Sequence, residues 1–132
     1  MRTAERAPVA YDPAKPSIDV LPERNGHRLA ITWLAATTDD TPQAGFLTID
    51  APNGSTTYSV TESPASIGRS FYLSKLLCTA PTRKGTQPGA EGYIVEATAG
   101  GVGDRCECRG WQSRGTCRHL DSIRALIANG WI

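Results

Sequence analysis

The chain has 132 residues, 39% of them hydrophobic, and a formal net charge of +1. That length suits one domain able to bury a core without disulfides. The charge excludes a protein that coats nucleic acid through massed Lys and Arg, though not a small local basic contact. From Met1 to Pro16 the sequence is charged and proline-spotted, with no apolar run of the secretory kind. Leu29 to Ala36, the most apolar stretch, is far too short to cross a bilayer. The expectation is a soluble, cytoplasmic protein with no membrane partner. In that compartment cysteines serve as metal ligands or catalytic groups before disulfides.

Residues 1–25 read as a flexible lead-in, broken by Pro8, Pro13, Pro16 and Pro22. Residues 26–92 read as a β-rich region. Within His27–Ala36, Leu29, Ile31 and Trp33 recur at period two, which predicts a strand. Gly45–Asp50 alternates Phe46 with Thr48 and Leu47 with Ile49. Ala51-Pro52-Asn53-Gly54 is a turn signal, and Thr56–Glu62 then places Tyr58 and Val60 on one face, so these two segments predict a β-hairpin. Arg69–Leu77 offers Phe71, Leu73 and Leu76 as a further strand, followed by a polar loop from Thr79 to Gly92. Tyr93–Thr98 predicts another, with Tyr93, Val95 and Ala97 on one side. Gly100, Gly101 and Gly103 then make a hairpin loop. They fail the dinucleotide-binding pattern because no helix follows them.

At the C-terminal end, Leu120, Ile123 and Ile127 share a helical face with Leu126 beside it. Thr116 is the expected N-cap. Gly130 falls where a left-handed residue closes a helix, with Trp131 folding back on Leu126. A helix this short is marginal in water by itself, so its start must be held.

The chemistry-bearing residues lie just ahead of that helix. Cys106-Glu107-Cys108 is followed, after eight residues, by Cys117-Arg118-His119. In extended chain, residues two apart point to one side, so Cys106 and Cys108 can bite one ion. Cys117 should sit just ahead of the helix and His119 in its first turn, where the helix N-terminus favours the Cys117 thiolate. Four N or S donors complete a tetrahedron, and a closed set predicts one structural Zn²⁺ held by Cys106, Cys108, Cys117 and His119. A buried-cysteine role or a Cys106–Cys108 disulfide explains the cluster poorly. The enzymatic rival, a catalytic or redox pair of Cys117 with His119, leaves Cys106 and Cys108 unexplained. His119 with Asp121 lacks a nucleophile elbow, since no Gly-x-Ser-x-Gly occurs. Cys78, after Leu76-Leu77, reads as a packed residue and His27 as a surface one.

Cys-x-Cys, a spacer and Cys-x-His resembles the SWIM zinc finger. Tyr93-Ile94-Val95 is similar to that family's leading strand, Trp111 stands where its spacer carries an aromatic, and Arg114-Gly115-Thr116-Cys117-Arg118-His119-Leu120 resembles its second ligand pair running into a helix. The likeness covers residues 93–129. More loosely, Gly68-Arg69-Ser70-Phe71-Tyr72-Leu73 and the strands before it resemble small stand-alone bacterial proteins that carry this finger at the C-terminus. The resemblance implies binding to DNA or to a protein, the two not distinguished, with no small-molecule substrate. The ATPase and transposase parts that accompany the finger elsewhere are missing, so those activities do not carry over. Arg109, Arg114 and Arg118 interleave with the ligands and are the candidate contacts to a nucleic acid or other partner, with Trp111 expected to fill the small core above the metal. The expected architecture is α+β: a small antiparallel sheet of about five strands, followed by a zinc-bound β-hairpin and a C-terminal helix over residues 93–132. The expected role is binding, not catalysis.

Overall fold

The computed structural model describes residues 12–24, 26–36, 43–52, 54–65, 67–78, 92–101 and 103–132. The expected loop from Thr79 lies, up to residue 91, outside these residues, as do Asn53 of the predicted turn and residues 1–11 of the lead-in.

Among the described residues, seven strands form one antiparallel meander in which each strand pairs with the next in sequence: β1 (Ser17–Val20), β2 (Ala30–Ala35), β3 (Gln43–Ala51), β4 (Gly54–Ser63), β5 (Arg69–Cys78), β6 (Gly92–Ala97) and β7 (Arg105–Cys106). The five strands expected from period-two alternation are β2 to β6. The sheet is wider than expected by β1, which arises within the expected lead-in, and by the two-residue β7. Two short helices close the chain, α1 (Arg109–Arg114) and α2 (Arg118–Ala128).

Alternation puts one face of the sheet in the core. The register aligns Ile31 with Ile49, and Trp33 with Leu47 and then Tyr58. Val60 pairs with Leu73, and Phe71 with Val95, which in turn pairs with Cys106. All of these side chains are buried, and α2 adds Leu120, Ile123 and Leu126 to the same cluster. Cys106, Cys108 and Cys117 belong to that cluster too, so these three thiols are continuous with the sheet's core.

The helix ends show how the sequence sets their limits. Cys117, extended at φ −158° and ψ 160°, is the N-cap of α2, and its Sγ accepts the Leu120 N–H at 3.3 Å. The cap is therefore one residue later than the expected Thr116, because the thiol occupies the acceptor position that a hydroxyl usually fills. At the other end Gly130 adopts φ 71°, its N–H bonds to the Ile127 carbonyl, and Trp131 N–H bonds to Leu126. This pair of bonds is the Schellman closure that the terminal Gly-Trp predicts. Trp131 packs against the core.

Long-range polar pairs fasten α2 across the sheet. Arg24, in the β1–β2 connection, grips Asp121 with two hydrogen bonds of 3.1 and 3.0 Å. Asn129 donates to Asp19 on β1 at 2.8 Å. Arg124 bonds to Asp104 and to the Thr98 carbonyl, anchoring the turn around Ala99–Gly101. Asp121 is therefore engaged by an arginine, away from any pairing with His119.

Candidate metal centre

Cys106 comes from β7, and Cys108 follows two residues later at the start of α1. The Cys108 Sγ caps that helix, accepting Trp111 N–H at 3.5 Å. The spacer between the two pairs thus contains the short helix α1. Gly115 ends it in the left-handed conformation, at φ 71°, and turns the chain back towards Cys117. His119 then sits in the first turn of α2. Two of the three thiols are helix N-caps, so backbone N–H groups point at sulfurs that carry negative charge when ligated.

The four predicted ligands come together as expected. One ligand atom from each of Cys106, Cys108, Cys117 and His119 lies within 4.8 Å of all the others, and all four residues are buried. Cys106 Sγ is 3.9 Å from His119 Nδ1. A tetrahedral ion with ordinary Zn–S and Zn–N lengths spaces its donors by about 3.6–3.8 Å, so the residues present fit a metal with little adjustment.

Electrostatics favours a cation at the centre. Hydrogen bonds from Cys106 and then Cys117 hold the Cys108 thiol far below its ordinary range. Cys106 moves the opposite way, far above it, through its hydrogen bonds to Cys108 and Cys117 and through burial. For Cys117 the hydrogen bond with Cys106 lowers the value, but Cys108 and burial outweigh it, and the thiol is pushed up to about 11. The three buried sulfurs thus compete for negative charge, Cys108 favouring it and Cys106 and Cys117 resisting it. A divalent cation would displace thiol protons and let all three sulfurs ionise.

Two residues that sequence reasoning assigned only to strand faces complete the surroundings. Tyr58 Oη, from β4, lies 3.0 Å from His119 Nε2, and the two rings meet edge to face. Tyr93, from β6, lies against the imidazole at 4.5 Å between ring centroids and 32° between planes. Tyr58 precedes His119 by 61 positions, and no local spacing connects them.

The candidate partner arginines fare differently. Arg118 is exposed and lines a cleft of about 330 Å³ together with Arg24, His27, Leu29 and Pro52. The side chains of Arg109 and Arg114 lie outside the described residues, as does that of Cys78. His27 is exposed, as expected. Trp111 is half-buried and packs against the core cluster. Among the described residues no helix is long and apolar enough to cross a membrane. No family model, curated protein or solved structure matches this chain.

Proposed function

We propose that the chain is a zinc-supported interaction module of the SWIM type. The observation that carries this reading is the convergence of three thiols and one imidazole, all buried, from two sequence pairs eight residues apart. Soft sulfur donors with one nitrogen select zinc over magnesium or calcium, which take oxygen ligands. Four protein donors fill a tetrahedron and leave no position for a substrate, which favours a structural ion over a catalytic one. The zinc-bound segment from β7 through α1 to the start of α2, preceded by the strand holding Tyr93-Ile94-Val95, keeps the order of the resemblance. Ligand cysteines fit a reducing compartment such as the cytoplasm.

The partner is a macromolecule, and the rim bearing Arg118 is its point of contact. Arg24 is committed to Asp121, whereas the Arg118 guanidinium has no partner among the described residues. A rigid backbone on either side of Arg118 lowers the entropy lost on binding. The net charge of +1 favours a protein partner over a nucleic acid. Capture with zinc-loaded protein, with and without nuclease, separates these. Partners that survive nuclease and are lost with Arg118→Glu support the reading. Loss of every partner on nuclease treatment transfers it to nucleic acid, and binding indifferent to both zinc and Arg118 overturns it.

A further inference from the structure

A neutral imidazole has one N–H and one lone pair in its plane, and only the lone-pair nitrogen can bind a metal. His119 presents its two nitrogens to different surroundings. Nδ1 faces the sulfur cluster, 3.9 Å from Cys106 Sγ. Nε2 faces the other way, 3.0 Å from Tyr58 Oη. The ring cannot readily exchange the two, because Tyr58 meets it edge-on at 5.3 Å and 88° while Tyr93 covers a face. His119, Tyr58 and the ligand cysteines are all buried, so water does not compete for these positions.

We infer that Tyr58 is a positioning residue for the metal: its hydroxyl accepts the Nε2–H of His119 and so commits Nδ1 to the ion. This rests on the metal reading above and extends it to the sheet. In the other tautomer Nδ1–H would aim a proton at three sulfurs and leave no lone pair for the cation. Accepting from Nε2–H removes that state and raises the electron density of Nδ1 as a donor. Groups that hold a histidine ligand in this way commonly contribute tenfold to a hundredfold in metal affinity. Tyr58 lies on β4, in the middle of the meander, and its ring is part of the core. The ligand set is thus completed only when the sheet has formed. The metal is thereby linked to strands far upstream of the two cysteine pairs.

The test uses the full chain as wild type and as Tyr58→Phe, which keeps the ring and removes the hydroxyl. Long-range proton–nitrogen NMR of the zinc-loaded wild type should show metal at Nδ1 and a slowly exchanging proton on Nε2. Competition against a chromophoric chelator should show Tyr58→Phe binding zinc about tenfold to a hundredfold more weakly, with fast exchange of the Nε2 proton. A Tyr58 that only packed would lower stability and leave both readouts where they were. Zinc on Nε2 in the wild type overturns the inference, as does an affinity in the variant within about twofold of the wild type. The wild-type spectrum decides even if the variant does not fold. A wild type that takes up no zinc by elemental analysis overturns the metal reading, and with it this one; zinc uptake by the wild type leaves only the role of Tyr58 at stake.

Discussion

Gly45 illustrates how a single residue can be fixed by its neighbour across a strand. It stands on β3 opposite Ala35, close to the Trp33 indole. A Cβ at this position would come within 2.5 Å of the Leu34 carbonyl oxygen and 2.7 Å of the Trp33 ring. Backbone cannot yield, and Trp33 is wholly buried, so the ring has nowhere to go. Gly45→Ala should therefore destabilise the protein by about 1–3 kcal/mol, the ordinary range for overpacking, read from urea unfolding. An unchanged midpoint would mean that the indole can shift. Residue-scale legibility in the sequence was uneven. The convergence of Cys106, Cys108, Cys117 and His119 was readable because donor type and spacing are local. Trp33 was readable as core from its alternation with Ile31, but its packing over Gly45 depends on the register between two strands. Tyr58 was readable as a buried strand residue and not as a partner of His119, since that contact forms only when α2 is laid on the sheet.

At the scale of elements, β2 to β6 were legible because large apolar residues alternate along them, Ile31 and Trp33, Leu47 and Ile49, Tyr58 and Val60, Phe71 and Leu73. β1 was not. Its apolar residues, Ile18 and Val20, are 72% and 52% exposed, so its pattern runs opposite to that of the core strands. Flanking Pro16 and Pro22 disguise it further. Helix α1 was hidden because Arg-Gly-Trp-Gln-Ser-Arg has no apolar period; its ends are set by the Cys108 cap and Gly115. The join of β4 to β5 offers a pH-dependent test. Arg69 holds Glu62 through bonds of 2.9 and 2.8 Å, stacks on Phe71, and reaches the Ile132 carbonyl. The hydrogen bond from Arg69 keeps the Glu62 carboxyl below its ordinary value of 4.5. A depressed carboxyl contributes stability that is present above its unfolded value and is lost as pH falls through the folded one. The loss should therefore appear on acidification below about pH 4.5. Both groups are more than a third exposed, so solvent screening limits the effect to under about 1 kcal/mol. Glu62→Gln should flatten this part of the acid dependence in urea titrations at stepped pH. An acid limb identical to that of the wild type would assign the dependence to other carboxylates.

For the whole molecule, the proposed metal site raises the question of how far the consequences of removing an ion would travel. A structural zinc contributes on the order of 10 kcal/mol in small fingers, comparable to the whole stability of a domain this size. Without it, the buried sulfurs must keep their protons or repel one another, and the caps of α1 and α2 weaken together. Residues 104–132 should lose protection first, since both helices begin at a ligand. The loss should not stop there. Tyr58 on β4 loses an ordered imidazole, β1 loses the Asn129–Asp19 bond, and the β1–β2 connection loses the Arg24–Asp121 pair. Strands β2 and β3 keep their own rows, Ile31 on Ile49 and Trp33 on Leu47, and should hold out longest. Hydrogen exchange after chelation would then show a gradient: α1 and α2 open, β1 and β4 weakened, β2 and β3 still protected. Cys108→Ser should reproduce it without chelator, because one lost ligand removes both a donor and the cap of α1. The gradient would arise because the clustered cysteines and the sheet share one core, so a bound ion would hold the helices directly and the nearer strands through them. Equal protection everywhere after chelation would show that packing alone holds α2. Collapse of all strands together would show that the sheet has no stability apart from the ion.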